Sequence, residues 1–177
     1  MRTKLLIVIT IIIVITIAII LSGVFIVLGN STSNEDFIQV KYSQLSNEDK
    51  TQIDCLADNV YYEAGGEPEV GKIAVALVTL NRTQSSKFPS KICSVVKQRV
   101  RSKCQFSWFC AKKRKIEYDT YMKSQEIALF VYTNYDKVVD VTNGALYYHA
   151  DYVNPRWKLE KTAQIGRHIF YKEREPI

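Results

Sequence analysis

Glycine, proline and histidine are scarce in this chain, with 7, 4 and 2 residues among 177. With no internal repeat beyond the apolar N-terminal run, this composition excludes a collagen-like chain, a coiled coil and a disordered tail. Tyrosine is plentiful by contrast, at 11 residues. The sequence after the N-terminal run is polar, rich in aromatic residues and long enough to bury its own core. We therefore expect one domain of ordinary size.

Charged residues are missing from Leu5 to Asn34, and most of this run is Ile, Val and Leu. It exceeds the ~20 residues that a helix needs to cross a bilayer, which predicts a single span and excludes a polytopic membrane protein. Because Arg2 and Lys4 precede the run, residues 1–29 are expected to be a transmembrane signal-anchor with a cytoplasmic N-terminus. A long cleaved signal peptide is the alternative. Either way, the remainder is exported.

The exported part divides into a tether and a domain. Residues 30–45 are rich in Ser, Asn and Thr, which is typical of a linker. Residues 46–177 are then expected to form the functional domain outside the cytoplasm.

The exported part contains four cysteines: Cys55, Cys93, Cys104 and Cys110. An even number in an oxidising compartment favours disulfides, and three pairings remain open. A zinc site is the alternative, but there is no C-x-x-C pair, and His149 and His168 lie far apart in the sequence. We expect no metal and no cofactor.

The chain has a formal net charge of +6, and its basic residues cluster between Lys97 and Lys115, where no acidic residue occurs. Such a cluster suits nucleic acid, or the anionic polymers that an exported domain meets in the cell envelope. A solvated surface loop is the third interpretation. We expect no specific nucleic-acid partner.

Apolar residues recur at helical spacing in four segments: residues 46–64, 68–82, 89–98 and 118–132. Ser46 and Asp49 resemble a capping box at the start of the first helix. Gly65-Gly66 predicts the end of that helix through a left-handed turn. Pro68 suits the first turn of the second helix, which is apolar nearly all round and should be buried on every side.

The last third of the sequence is strand-like. Val138–Val141 and Ala145–His149 flank Asn143-Gly144, which predicts a β-hairpin, and Ile165–Tyr171 predicts a third strand. Helices followed by strands indicate an α+β fold.

Glu63 is the sharpest candidate for chemistry, because it falls on the edge of the first helix's apolar stripe, close to Leu56 and next to the glycine turn. Partial burial would raise its pKa, as a general acid near neutral pH requires. A glutamate with a purely structural role is the alternative. Glu67 is a candidate second carboxylate of the kind that glycosidases use, or simply a charge at the start of the second helix.

A loop between Cys104 and Cys110 brings together the amide of Gln105, the hydroxyl of Ser107 and the indole of Trp108. Sugars are commonly bound by an aromatic face with hydrogen-bonding groups at its edge. The alternative is a disulfide-pinned surface loop with buried aromatic residues.

Tyr147-Tyr148-His149 should alternate across a strand, so that Tyr147 and His149 share one face and Tyr148 takes the other. No Ser or Cys nucleophile motif accompanies the histidine, so a catalytic triad is not supported.

An ordered series of motifs runs through the domain: Tyr62-Glu63-Ala64-Gly65-Gly66-Glu67-Pro68, Leu80-Asn81-Arg82, Cys104-Gln105-Phe106-Ser107-Trp108, Ala145-Leu146-Tyr147-Tyr148-His149 and Ile165-Gly166-x-His168-x-Phe170. This series resembles the SleB-type cell wall hydrolase family. The resemblance implies a lysozyme-like or transglycosylase-like helical part with a small C-terminal antiparallel β subdomain. It also implies cleavage of the bond between N-acetylmuramic acid and N-acetylglucosamine in peptidoglycan.

The same resemblance implies residue roles. Glu63 corresponds to the catalytic glutamate, and the expected sugar contacts are Gln105, Ser107, Trp108, Tyr148 and His149. One departure is Gly65, where the family commonly has Arg, which removes a cation from the site.

We expect a monomeric lytic transglycosylase with Glu63 as general acid and base, acting on glycan strands and held to the membrane by its N-terminal helix. The alternatives are a hydrolytic muramidase that uses Glu63 and Glu67, or an inactive membrane-anchored peptidoglycan-binding module.

Overall fold

The computed structural model describes residues 40–112 and 115–174. The α-helices of this part are α1 (Asn47–Ala64), α2 (Glu69–Gln84), α3 (Ile92–Val96), α4 (Ser107–Cys110) and α5 (Tyr118–Thr133). The strands are β1 (Arg99–Val100), β2 (Lys103–Cys104), β3 (Tyr147–Ala150), β4 (Glu160–Ile165) and β5 (His168–Lys172). The fold is therefore mixed, with a helical part and small antiparallel sheets, as the order of patterns predicts.

The expected signal-anchor at residues 1–29 lies outside the described residues, as does most of the expected tether. Between residues 40 and 174, leaving aside 113 and 114, the structure contains no helix long and apolar enough to cross a membrane.

Helix α1 begins as its sequence predicts but ends differently. The Ser46 hydroxyl accepts a hydrogen bond from the Asp49 amide at 3.1 Å, which satisfies an otherwise free donor of the first turn. At the other end, Gly65 has φ −55° and ψ −35°, so the predicted left-handed turn is wrong. The Gly65 amide still donates to the Tyr61 carbonyl, and the Glu67 amide donates to the Ala64 carbonyl at 2.9 Å. These bonds turn the chain without a positive φ.

The main core lies where α1 packs against α2, α3 and α5. Its fully buried members include Ile53, Leu56, Val60, Leu77 and Val131. A second cluster joins α2 to the C-terminal sheet and contains Ala74, Val78, Ala145 and Phe170. Helix α2 thus carries apolar side chains for both clusters, which explains its nearly continuous apolar sequence.

Two disulfides fix the helical part, Cys55–Cys93 and Cys104–Cys110. The first ties α1 to α3, and the second closes the segment that carries α4. All four cysteines are paired, so none is left to bind zinc. Within the described residues, no group of three or more His, Cys, Asp or Glu side chains could hold a metal ion.

The C-terminal sheet has the antiparallel order β3-β5-β4, and the predicted hairpin around Asn143-Gly144 is wrong. Val138–Val141 forms no strand. The Asp140 carboxylate instead accepts hydrogen bonds from the amides of Thr142 and Gly144, both at 2.8 Å, and folds this segment into a side-chain-stabilised loop.

The segment that predicted one strand, Ile165–Tyr171, contains the turn between two strands. Gly166 lies in that turn with φ +54°, which a glycine adopts without strain.

Neither the β1–β2 hairpin nor α4 is predicted from the sequence: the hairpin begins directly after the helix expected over residues 89–98, and α4 lies in the stretch 104–110 that is expected to be a loop. The hairpin turn is formed by Arg101 and Ser102, both with positive φ, instead of the usual Asn-Gly pair.

Candidate active site

A cleft of about 570 Å³ opens beside the C-terminal half of α1. Residues from two parts of the chain line it. Asp58, Tyr62 and Glu63 come from α1, whereas Ser107 and Trp108 come from α4. The cleft therefore brings Glu63 together with two of the residues expected to contact sugar.

Glu63 occupies the last turn of α1 and is half-buried. Tyr148, whose strand β3 lies far along the chain, donates its hydroxyl hydrogen to Glu63 Oε2 at 3.3 Å. Burial raises the pKa of the Glu63 carboxyl, and this effect outweighs Tyr148, Trp108 and the charge of Arg82, which lower it. The result is a carboxyl with its pKa shifted toward neutral pH and a surface open to the cleft.

Trp108 forms part of the cleft wall. Its ring stacks on Tyr62 with centroids 4.6 Å apart and planes 18° from parallel. The buried indole N–H makes no hydrogen bond of ordinary geometry within residues 40–112 and 115–174, but its weaker hydrogen bonding to the Glu63 carboxyl lowers the pKa of that group. The wall therefore combines an aromatic surface with a donor beside the carboxyl.

A buried cation lies behind Glu63. The Arg82 side chain, 3% exposed, donates from Nε to the Leu146 carbonyl at 2.8 Å. Its guanidinium lies over the rings of Phe88 and Phe106, at 5.1 and 5.3 Å. Its positive charge lowers the pKa of Glu63. The site thus has a cation although residue 65 is glycine.

Gly65 itself has no room for a side chain. A Cβ atom there would lie 2.5 Å from the Tyr61 carbonyl oxygen and 3.2 Å from Thr120 Cγ2. An arginine at residue 65 would require the backbone at the end of α1 to shift. Gly65 is therefore part of the local packing at the end of α1.

Glu67 lies outside the cleft that holds Glu63. Its Oε2 accepts a hydrogen bond from the Arg167 amide at 3.0 Å, in the turn between β4 and β5. Its backbone carbonyl accepts a hydrogen bond from the Lys72 ammonium. Glu67 is not among the residues that line the cleft. Its carboxylate ties the start of α2 to the C-terminal sheet.

Two further predicted sugar contacts also lie apart from Glu63. His149 Nδ1 is 2.8 Å from the Ala150 carbonyl, and Nε2 is 3.0 Å from the Tyr171 hydroxyl, on the sheet face opposite Tyr148. Since a carbonyl oxygen can only accept a hydrogen bond, Nδ1 is the donor in the first of these contacts. Gln105 is exposed and does not line the cleft.

Asp58, Tyr62 and Arg82 are members of the site that were not predicted from the sequence. Asp58 and Tyr62 are four residues apart on α1, a spacing that places them on one helix face beside Glu63 and could have been recognised. Burial and the charge of Asp58 raise the pKa of Tyr62. No local signal marks Arg82, because its burial depends on residues distant in the sequence.

Three comparisons with known proteins indicate the same family. The sequence profile of the cell wall hydrolase family matches residues 66–171, beginning three residues after Glu63. The spore cortex-lytic enzyme of Oceanobacillus iheyensis is 31% identical over 130 residues, which cover 70% of this chain and 42% of the relative. The enzyme of the same name from Bacillus subtilis is 33% identical over 131 residues, covering 67% and 36%. The chain thus spans less than half the length of these relatives.

Two solved structures are similar to this one. The catalytic domain of the germination-specific lytic transglycosylase SleB from Bacillus anthracis has a TM-score of 0.54 and 28% identity, over 73% of this chain and 98% of that domain. The catalytic domain of Bacillus cereus SleB has a TM-score of 0.51 and 26% identity, over 80% and 100%. Since the family profile matches more than half of the chain, the chain belongs to the cell wall hydrolase family.

Proposed function

We propose that this protein is a peptidoglycan lytic transglycosylase in which Glu63 is the one catalytic carboxyl. The observation that carries the proposal is the placement of Glu63, a half-buried carboxyl with a raised pKa at the edge of a cleft walled by Trp108. Such a carboxyl is a suitable proton donor at near-neutral pH.

The reaction needs one proton to move out and one to move back. Protonated Glu63 donates its proton to the glycosidic oxygen as the bond from that oxygen to muramic acid C1 breaks. The resulting carboxylate removes the proton from the muramic acid 6-hydroxyl, whose oxygen then bonds to C1. The product is a 1,6-anhydro sugar, and no water is consumed. Tyr148 and Arg82 stabilise the charged intermediate form of Glu63.

The position of Glu67 supports this one-carboxyl mechanism. Its carboxylate is engaged at the β4–β5 turn and is absent from the cleft lining. A hydrolytic muramidase would need a second carboxylate to activate water, and Asp58 is the cleft residue with that chemistry. Asp58 interacts with Tyr121. The pKa of the Tyr121 hydroxyl is raised mainly by burial and also by the nearby carboxylates of Asp58 and Asp54.

The test is mass spectrometry of the muropeptides that the full chain releases from purified peptidoglycan, with Glu63→Gln beside it. We expect products one water lighter than their hydrolysed counterparts, and none from Glu63→Gln. Reducing-end muramic acid would instead identify a muramidase, and Asp58→Asn would then be the next variant. No product from several wall types would favour the inactive binding module.

We also propose that the domain acts outside the cytoplasm, held to the membrane by residues 1–29. The charge-free run after Arg2 and Lys4 supports this orientation. Detection of the full chain in the membrane fraction, with the domain accessible to protease from outside, would test it.

A further inference from the structure

Five basic residues lie in the segment 97–112, and the first and last of them line the cleft. They are Lys97, Arg99, Arg101, Lys103 and Lys112, and we call them the basic rim. All five are exposed. Lys97 and Lys112 line the cleft itself, and the other three lie on the β1–β2 hairpin between them. The segment that carries the rim therefore also carries Trp108.

The rim collects five basic residues within a short segment that contains no acidic residue. Several lysines and arginines elsewhere form ion pairs with acidic side chains, as in Lys91–Glu48 at 2.6 Å, Lys123–Glu69 at 3.0 Å and Arg167–Asp151 at 3.5 Å. Across the described ranges, no rim residue forms an ion pair. Like charges held close together repel, so an anionic ligand would relieve a cost that the free protein carries.

Local structure holds the rim in place. The turn residues Arg101 and Ser102 have φ of 49° and 68°, a backbone region that costs non-glycine residues energy. The Gln105 amide donates to the Gln98 carbonyl at 2.9 Å and closes the base of the hairpin. The Cys104–Cys110 disulfide then joins β2 to the end of α4. The base of the β1–β2 hairpin is thus fixed relative to Ser107 and Trp108.

We propose that the basic rim binds the carboxylates carried by the peptide stems of the peptidoglycan strand that lies in the cleft. This inference rests on the proposed function for its substrate. The charge is complementary, and the rim shares the cleft with Glu63, so a glycan in place at Glu63 would present its side groups to the rim. The rim makes the protein favour strands that retain free carboxylates.

The test measures binding of the full chain, in detergent, to sedimented peptidoglycan sacculi. Every protein carries Glu63→Gln, so that the wall is not digested. The rim variant is Arg99→Gln/Arg101→Gln/Lys103→Gln. Its control, Lys41→Gln/Lys158→Gln/Lys161→Gln, loses the same charge at exposed residues away from the rim.

On sacculi freed of teichoic acid, we expect the rim variant to bind about tenfold more weakly than the control. Amidation of the sacculus carboxylates should abolish this difference, and salt should diminish it. Equal binding by the two variants would overturn the proposal. So would a difference that survives amidation, or that appears only when teichoic acid is present.

The two proposals can fail separately. The chain with Glu63 intact could release the lighter muropeptides while both variants bind equally. That result would contradict the rim proposal and leave the catalytic proposal standing. A difference in binding between the rim variant and its control, without any released product, would contradict the catalytic proposal. The protein would then be a peptidoglycan-binding module that recognises carboxylates.

Discussion

Glu63 and Glu67 stand on either side of Gly65-Gly66, and the comparison between them shows how one turn of the chain gives two carboxyls different surroundings. Glu63 ends α1 inside an aromatic cleft, where burial raises the pKa of its carboxyl. Glu67 precedes α2 and binds the backbone of the β4–β5 turn. Two carboxyls only four residues apart thus differ because the chain turns between them. Sequence proximity is a poor guide to a catalytic pair.

The largest effect should come from neutralising the two glutamates separately. Glu63→Gln should reduce kcat by about 1000-fold, because the proton donor is lost. Glu63→Gln should also raise Tm slightly. The pKa of Glu63 is higher in the folded than in the unfolded protein, so the stability that this carboxyl contributes is present at low pH and is lost as the pH rises through the folded pKa. A neutral glutamine does not suffer that loss.

Glu67→Gln should leave kcat within about threefold and lower the free energy of unfolding by about 1 kcal/mol, since it weakens the bond from the Arg167 amide. Steady-state turnover of peptidoglycan and thermal unfolding of both variants measure these effects. A loss of turnover in Glu67→Gln comparable to that in Glu63→Gln would return Glu67 to the catalytic pair.

The contact between Glu67 and the β4–β5 turn can be tested at Gly166. A Cβ atom there would overlap Glu67 Oε2, and φ is +54°. Gly166→Ala should therefore cost about 2 kcal/mol of stability. Gly144→Ala is the matched control, because Gly144 has φ +77° but a Cβ atom there would meet no other atom within 4 Å, so it reports backbone strain alone.

Denaturant unfolding of these variants, with Glu67→Ala and the Gly166→Ala/Glu67→Ala pair, measures the coupling. The pair should cost less than the sum of its members, since truncation of Glu67 removes the overlap. Strict additivity would mean that Glu67 does not hold the turn.

Local signals predicted much of the helical part. The Ser46 cap and the apolar spacing of α1 are properties of neighbouring residues, and both are confirmed. The sheet was harder, because β3 pairs with β5 across 17 intervening residues and Asp140 replaces the expected strand with a loop. Neither feature has a signature within a few residues.

The site divides in the same way. Glu63 and Trp108 carry recognisable chemistry, and the structure places both at the cleft. Arg82 could not be identified, because its burial requires Phe88, Phe106 and the Leu146 carbonyl to meet around it. Long-range packing thus decides which charges influence Glu63.

The smallest effect concerns Tyr148, which joins the sheet to the catalytic side. Its hydroxyl hydrogen bond favours the charged form of Glu63 and lowers the pKa of that carboxyl. Tyr148→Phe removes this bond, so the pKa of Glu63 should rise further. Because the proposed reaction needs protonated Glu63, the alkaline limb of the kcat/KM profile should move to higher pH, while kcat falls by about threefold.

The pH profile of kcat/KM for the wild-type chain and Tyr148→Phe measures the shift. His149→Ala is the control, because its ring bonds Tyr171 on the opposite face of the sheet. An alkaline limb that stays fixed in Tyr148→Phe, or that moves equally in His149→Ala, would contradict the coupling. A shift confined to Tyr148→Phe would mean that the sheet tunes the acid on α1 through one hydroxyl, while Glu67 holds that sheet in place.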